Sequence, residues 1–218
     1  MIPWRIREAL RPSILEAGIF AFRCGLRNER VFRWLITGWG NEGWSADTAY
    51  LQAVCHWASR VQGHILECGS GLSTLLLGIV APGRVTTLEH LPEWQVRVQR
   101  TAAQYSIDIN VVAAPLVSHG LFDWYNLPQS ATNTYELVIC DGPPSATRGG
   151  RYGLLPVVKR QLAQNAIILM DDVERPDERG IIERWEKQFN VSCEEHRTTS
   201  GVYAIVKAVR GAAQEAVI

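Results

Sequence analysis

No apolar run in this 218-residue chain approaches the about 18 residues that a membrane-spanning helix needs, and its first residues lack a signal peptide's uninterrupted apolar core. An excess of one charge is missing too. Twenty-two basic side chains face 22 acidic ones, so nothing marks the chain for nucleic acid. Cysteine is sparse and scattered: Cys24, Cys55, Cys68, Cys140 and Cys193 are odd in number and form no C-x-x-C pair. That pattern excludes a disulfide framework or a zinc site and gives a reducing, cytoplasmic compartment as the expectation. Repeats and low-complexity tracts are also absent. What is there is 47% apolar, enough to cover a full central sheet with helices.

The informative stretch is His64-Ile-Leu-Glu-Cys-Gly-Ser-Gly-Leu-Ser-Thr74, where a short apolar run breaks into two glycines and then enters a helix. It reads as strand, tight turn and helix N-terminus, an arrangement that presents backbone N–H groups to an anionic group. Gly69 and Gly71 let a ligand approach the main chain. A dinucleotide fingerprint requires a third glycine, and Thr74 stands in its place. Glu67, closing the strand, would repel a pyrophosphate and attract an ammonium. The ligand should therefore carry both charges, with a cation near Glu67 and a carboxylate received by Ser73, Thr74 and the helix N-terminus.

These residues resemble motif I of the class I S-adenosylmethionine-dependent methyltransferases, whose E/D-x-G-x-G loop holds the methionine end of the cofactor. The resemblance covers roughly residues 60 to 210. It implies that Glu89, ending Arg84-Val-Thr-Thr-Leu-Glu89, accepts the ribose hydroxyls and that His90 lies beside the adenine.

From residue 64 onward, Val/Ile/Leu-rich runs alternate with helical stretches, as an α/β doubly wound sheet requires. Strands are expected near 64–68, 84–89, 109–113, 136–141, 166–171, 190–195 and 202–208, with helices at about 72–80, 92–105, 151–164 and 177–188. The resemblance implies a Rossmann-like seven-stranded methyltransferase sheet in the order 3-2-1-4-5-7-6, its last strand antiparallel. We expect residues 63–218 to form the S-adenosylmethionine-binding catalytic domain and residues 1–62 a helical extension that covers cofactor and substrate.

That extension suggests two helices, the second beginning near Pro12. Residues 5 to 33 hold seven arginines against three glutamates among apolar residues. The plainer reading is an apolar stripe packed on the domain; the alternative is association with an anionic surface. A glycine-rich loop with Trp39 and Trp44 follows, then a helix capped by Ser45 or Asp47 and running to about Arg60. Further on, Phe122-Asp-Trp-Tyr-Asn-Leu-Pro128 either walls the adenine pocket or covers the sheet edge.

The fourth strand ends in Asp141 and the fifth in Asp171 and Asp172, so three carboxylates should converge where the ligand sits. Such a cluster needs cations: the sulfonium, a divalent metal, or Arg148, Arg151 and Arg175. The trio resembles the metal site of the catechol O-methyltransferase-like branch, which makes Mg²⁺ a further cofactor candidate through Asp141, Asp171 and Asp172. Pro144 stands where that branch has its lysine base. The combination of Asp141-Gly-Pro-Pro, Arg151-Tyr152 and Asp171-Asp172-x-x-Arg175-x-x-Glu178 resembles a group of small bacterial small-molecule methyltransferases.

The implied reaction is in-line displacement at the sulfonium methyl by a small-molecule acceptor, preferably a hydroxyl oxygen, with Asp141 orienting or deprotonating it and Asp172 assisting. Residues 145 to 151 would close over the acceptor, with Arg148 or Arg151 reaching an anionic group on it. Two other classes remain open at this stage: a nicotinamide-dependent oxidoreductase and a methyltransferase-like binding module without turnover.

Overall fold

The computed structural model describes residues 4–40, 46–127 and 133–208. Helix α1 (Trp4–Arg23) runs through Pro12, so the expected break there does not occur. The chain turns at Gly25, whose φ is +85°, and α2 (Glu29–Trp39) starts where Asn28 accepts a hydrogen bond from the Val31 amide. A Cβ on Gly38 would sit 2.4 Å from the Leu15 amide nitrogen, so α1 and α2 touch backbone to backbone. Their apolar stripe joins Leu72, Leu75 and Leu76 of α4 (Leu72–Val80) and Val98 and Ala102 of α5 (Pro92–Gln104). This is the packing the plainer reading requires. Phe20 and Leu26 remain exposed.

Helix α3 (Thr48–Ala58) is capped by Asp47, which accepts from the Tyr50 amide at 2.7 Å; Trp44 and Ser45 lie outside the described residues. Tyr50, Val54 and Ala58 cover one face of the sheet, against Ile65, Leu137, Ile139, Leu169 and Ile205.

The sheet contains β1 (His64–Cys68), β2 (Val85–Glu89), β3 (Val111–Ala113), β6 (Tyr135–Cys140), β7 (Leu162–Met170), β8 (Val191–Arg197) and β9 (Val202–Ala208). Its order is β3-β2-β1-β6-β7-β9-β8. Counting only these seven strands gives 3-2-1-4-5-7-6, and β9 alone runs against its neighbours. The two skipped strands, β4 (Leu116–Ser118) and β5 (Asp123–Tyr125), form a separate antiparallel hairpin in a stretch where no strand is expected from the sequence.

The helix expected over 151–164 is replaced by a 3₁₀ turn (Gly150–Gly153), a short α6 (Leu154–Val158) and a second 3₁₀ turn (Lys159–Gln161), after which β7 begins at Leu162. Pro156 lacks an N–H and lies in the first turn of α6, which disfavours a continuous α-helix through the residues before it. Helix α7 (Pro176–Phe189) then covers the same face as α6 and the hairpin, against Leu66, Cys68, Val138, Cys140, Ile168 and Met170. Among the described residues, no helix is long and apolar enough to cross a membrane.

Candidate active site

Parallel pairing places Thr87 of β2 directly beside Glu67 of β1. Thr74, third residue of α4, reaches the same carboxylate from above. Both hydroxyls donate to Glu67 Oε2 at 2.7 Å. Thr74 Oγ1 also accepts from the Gly71 amide at 2.9 Å, which closes the loop back on its helix. Glu67 is fully buried, and its other oxygen, Oε1, has no hydrogen-bond partner among the described residues. Burial raises its pKa from 4.5 to about 7, although the hydroxyls of Ser73, Thr74 and Thr87 favour the charged form.

Gly69 has a φ of +90°, and a Cβ there would press within 3.2 Å of the Gly142 amide nitrogen. The loops after β1 and β6 therefore meet main chain to main chain, which requires glycine on both sides. Gly71 differs: its backbone is extended, and a Cβ on it would meet open space. Open space before a helix N-terminus, with an unpartnered carboxylate oxygen buried behind the loop, fits a ligand carrying an amino-acid head.

Glu89 is more heavily engaged than its sequence position suggests. Oε2 accepts from the Ser70 amide and hydroxyl at 2.9 and 2.7 Å, and Oε1 accepts from the amides of His90 and Leu91 at 2.8 and 2.9 Å. His90 Nδ1 lies 3.2 Å from the same Oε1. Burial alone would raise the Glu89 pKa, but the donors from His90, Leu91 and Ser70 outweigh it and lower the value. Four donors fill the lone-pair positions of a carboxylate, so ribose hydroxyls would have to displace Ser70 or share its place. Ser70 carried no signal in the sequence beyond its place between two glycines, and Thr87 none until the strand register paired it with Glu67.

At the ends of β6 and β7, the carboxylates of Asp141 and Asp172 and the carbonyl of Asp171 gather around Arg151. This guanidinium is 2% exposed. Its Nη2 lies 3.2 Å from Asp141 Oδ1 and 2.7 Å from Asp172 Oδ2, and Nη1 donates to the Asp171 carbonyl at 2.5 Å. Arg175 holds the other oxygen of Asp172 at 2.8 Å. Asp171 Oδ1 accepts the Asp172 amide, whose residue has a φ of +60°. No group of three or more His, Cys, Asp or Glu among the described residues is arranged to hold a metal. The Mg²⁺ expected through Asp141, Asp171 and Asp172 is therefore not supported: Arg151 pairs with Asp141 and Asp172, Arg175 with Asp172, and the Asp171 carboxylate accepts the Asp172 amide.

Asp141 keeps 29% of its side-chain surface exposed, whereas Asp172, clasped by two arginines, keeps 20%. Burial lifts the Asp141 pKa to about 6; Arg151 opposes the shift and Asp172 adds to it. Asp171 is raised well above the ordinary value by burial and then by Asp141 and Asp172. Arg148, expected to reach the pocket, is instead drawn away to the hairpin, donating to Ser118 Oγ at 2.6 Å and pairing with Asp123. Trp124 and Tyr125 are buried in the core that backs the site rather than covering the sheet edge. Trp39 packs edge-on against Trp94, and the Arg97 guanidinium lies over both rings.

No protein-family model matches the chain, and no curated protein matches its sequence. Solved structures do match it in shape. The S-adenosylhomocysteine-bound methyltransferase PaMTH1 of Podospora anserina has 15% identity and a TM-score of 0.62, covering 89% of this chain and 87% of that one. A candidate caffeoyl-CoA O-methyltransferase from Staphylococcus aureus has 14% identity and a TM-score of 0.62, over 89% and 99% of the two chains. A methyltransferase from Geobacter sulfurreducens has 12% identity and a TM-score of 0.57, over 96% and 98%. At such identities the likeness establishes architecture and leaves chemistry to the residues. The chain has the class I S-adenosylmethionine-dependent methyltransferase fold.

Proposed function

We propose that the protein transfers a methyl group from S-adenosylmethionine to a small-molecule acceptor, through a hydroxyl oxygen. The observation that carries this reading is the state of Glu67: one oxygen fixed by Thr74 and Thr87, the other buried without a partner behind Gly69 and Gly71. That oxygen is suited to an ammonium and the positive end of α4 to a carboxylate; the Ser73 hydroxyl, which favours the charge on Glu67, would turn from it to receive that carboxylate. Thr74 acts through the loop, since its hydroxyl already serves both Glu67 and Gly71. Glu89 and His90 would hold the ribose and adenine end.

Bound there, the cofactor would supply an electrophilic methyl on a sulfonium, and with it the driving force. The chain's own task is to orient the acceptor and take its proton. Asp141 is suited to this because it is partly exposed, stands at the end of β6, and is ionised above about pH 6. Asp172 is held by Arg151 and Arg175 and fixes the electrostatic frame around Asp141. Calorimetric titration with S-adenosylhomocysteine tests the reading. Saturable heat at micromolar concentrations supports it, and no heat from folded protein overturns it.

A further inference from the structure

The chain holds a second polar atom of the same kind as Glu67 Oε1, on an element outside the seven-stranded sheet. The hydroxyl of Tyr125, at the end of β5, is buried and has no hydrogen-bond partner among the described residues. Its position is defined by the glycine contact: a Cβ built on Gly142 would lie 2.4 Å from the Tyr125 hydroxyl oxygen and 3.1 Å from the Gly69 Cα. The hydroxyl therefore stands where the loops after β1 and β6 touch. The Tyr125 ring also meets the His90 ring edge-on at 5.9 Å. The Cys68 carbonyl, 3.2 Å from the same built Cβ, already accepts from the Asp141 amide.

A phenylalanine would fill the ring's volume without burying an unsatisfied hydroxyl, which costs on the order of 1–3 kcal/mol. Retaining that hydroxyl between the residues assigned to the two ends of the donor points to a ligand that satisfies it. We propose that Tyr125 is a cofactor-binding residue whose hydroxyl hydrogen-bonds the bound S-adenosyl donor where the donor lies against the touching loops of Gly69 and Gly142. This rests on the methyl-donor reading above.

The test compares S-adenosylhomocysteine binding by wild type and Tyr125→Phe, with thermal melting alongside. The expected result is roughly tenfold weaker binding, about 1.4 kcal/mol, with a melting temperature held or raised. Affinity within twofold of wild type overturns the proposal and makes Tyr125 a core residue only. Absence of heat with wild type overturns the donor reading itself, so the two failures are distinguishable. If the phenylalanine variant does not fold, 3-fluorotyrosine placed at position 125 gives a second readout. Its fluorine resonance should shift on adding S-adenosylhomocysteine, and an unmoved resonance at saturation overturns the proposal.

Discussion

Arg151 Nη2 lies 2.7 Å from Asp172 Oδ2, deep in a gap between strand ends for which the sequence offers a sulfonium, a divalent metal or an arginine as the cation. Removing one member of a buried ion pair leaves the other charged and unpaired, which typically costs about 3–5 kcal/mol. Arg151→Met should lose about that much stability in urea unfolding. Arg151→Lys should recover less than half, because an ammonium cannot reproduce the fork that reaches Asp141, Asp172 and the Asp171 carbonyl together. A loss below about 1 kcal/mol in the methionine variant would show that the guanidinium does not hold this cluster.

Glu67 should make the ligand-free protein sensitive to pH. Its folded pKa is raised, from 4.5 to about 7, so its contribution to stability is full below 4.5 and is lost as pH rises through about 7. Asp141 and Asp171 shift in the same direction, and the informative quantity is therefore the difference between wild type and Glu67→Gln. Between pH 5 and 8 the melting temperature of the variant should decline less. S-adenosylhomocysteine affinity should rise over the same interval in wild type and stay flat in the variant; parallel curves would remove Glu67 as the ammonium partner.

Asp141→Asn should lower methyl transfer by about 10²-fold or more, the range for loss of a positioned base. The wild-type rate should climb through about pH 6 as Asp141 ionises, and that limb should vanish in the variant. Transfer from labelled donor to a panel of hydroxyl acceptors is the measurement. Undiminished turnover by Asp141→Asn would assign proton removal elsewhere.

Ser70→Ala removes the hydroxyl that occupies Glu89 Oε2 at 2.7 Å. The ligand-free protein should lose about 1.5–3 kcal/mol, as for a hydrogen bond to a charged group. Donor affinity should rise severalfold, because ribose would no longer compete with the loop. A fall in affinity would identify Ser70 itself as a ligand.

Much of this was legible because the relevant signals are local. Two glycines after an apolar run, an acid closing each of two strands and Val/Ile-rich periodicity were enough for an α/β sheet, while its strand order came from the resemblance to the class I methyltransferases and not from periodicity. The errors arose where tertiary contacts outweigh local pattern. Pro12 lies within α1, whose apolar residues continue onto the shared core, so packing keeps the helix intact. The 151–164 segment has helical composition but is divided between a buried arginine turn and the start of β7. Arg151 appeared among the candidate cations, yet only the sheet's geometry shows that it lies inside the aspartate cluster while Arg148 points away.

Arg148 and Asp123 are joined twice, through their side chains and through the Asp123 amide bonding the Arg148 carbonyl at 2.9 Å. A Cβ on the next residue, Gly149, would strike Phe122 at 2.5 Å. The strap before Arg151 and the hairpin ending in Tyr125 are thus tied together by an ion pair, a main-chain bond and a close glycine contact. On the donor reading proposed above, a displacement of the strap would be transmitted to Tyr125, so acceptor and donor should each alter the other's affinity, a mutual coupling that paired calorimetric titrations would register.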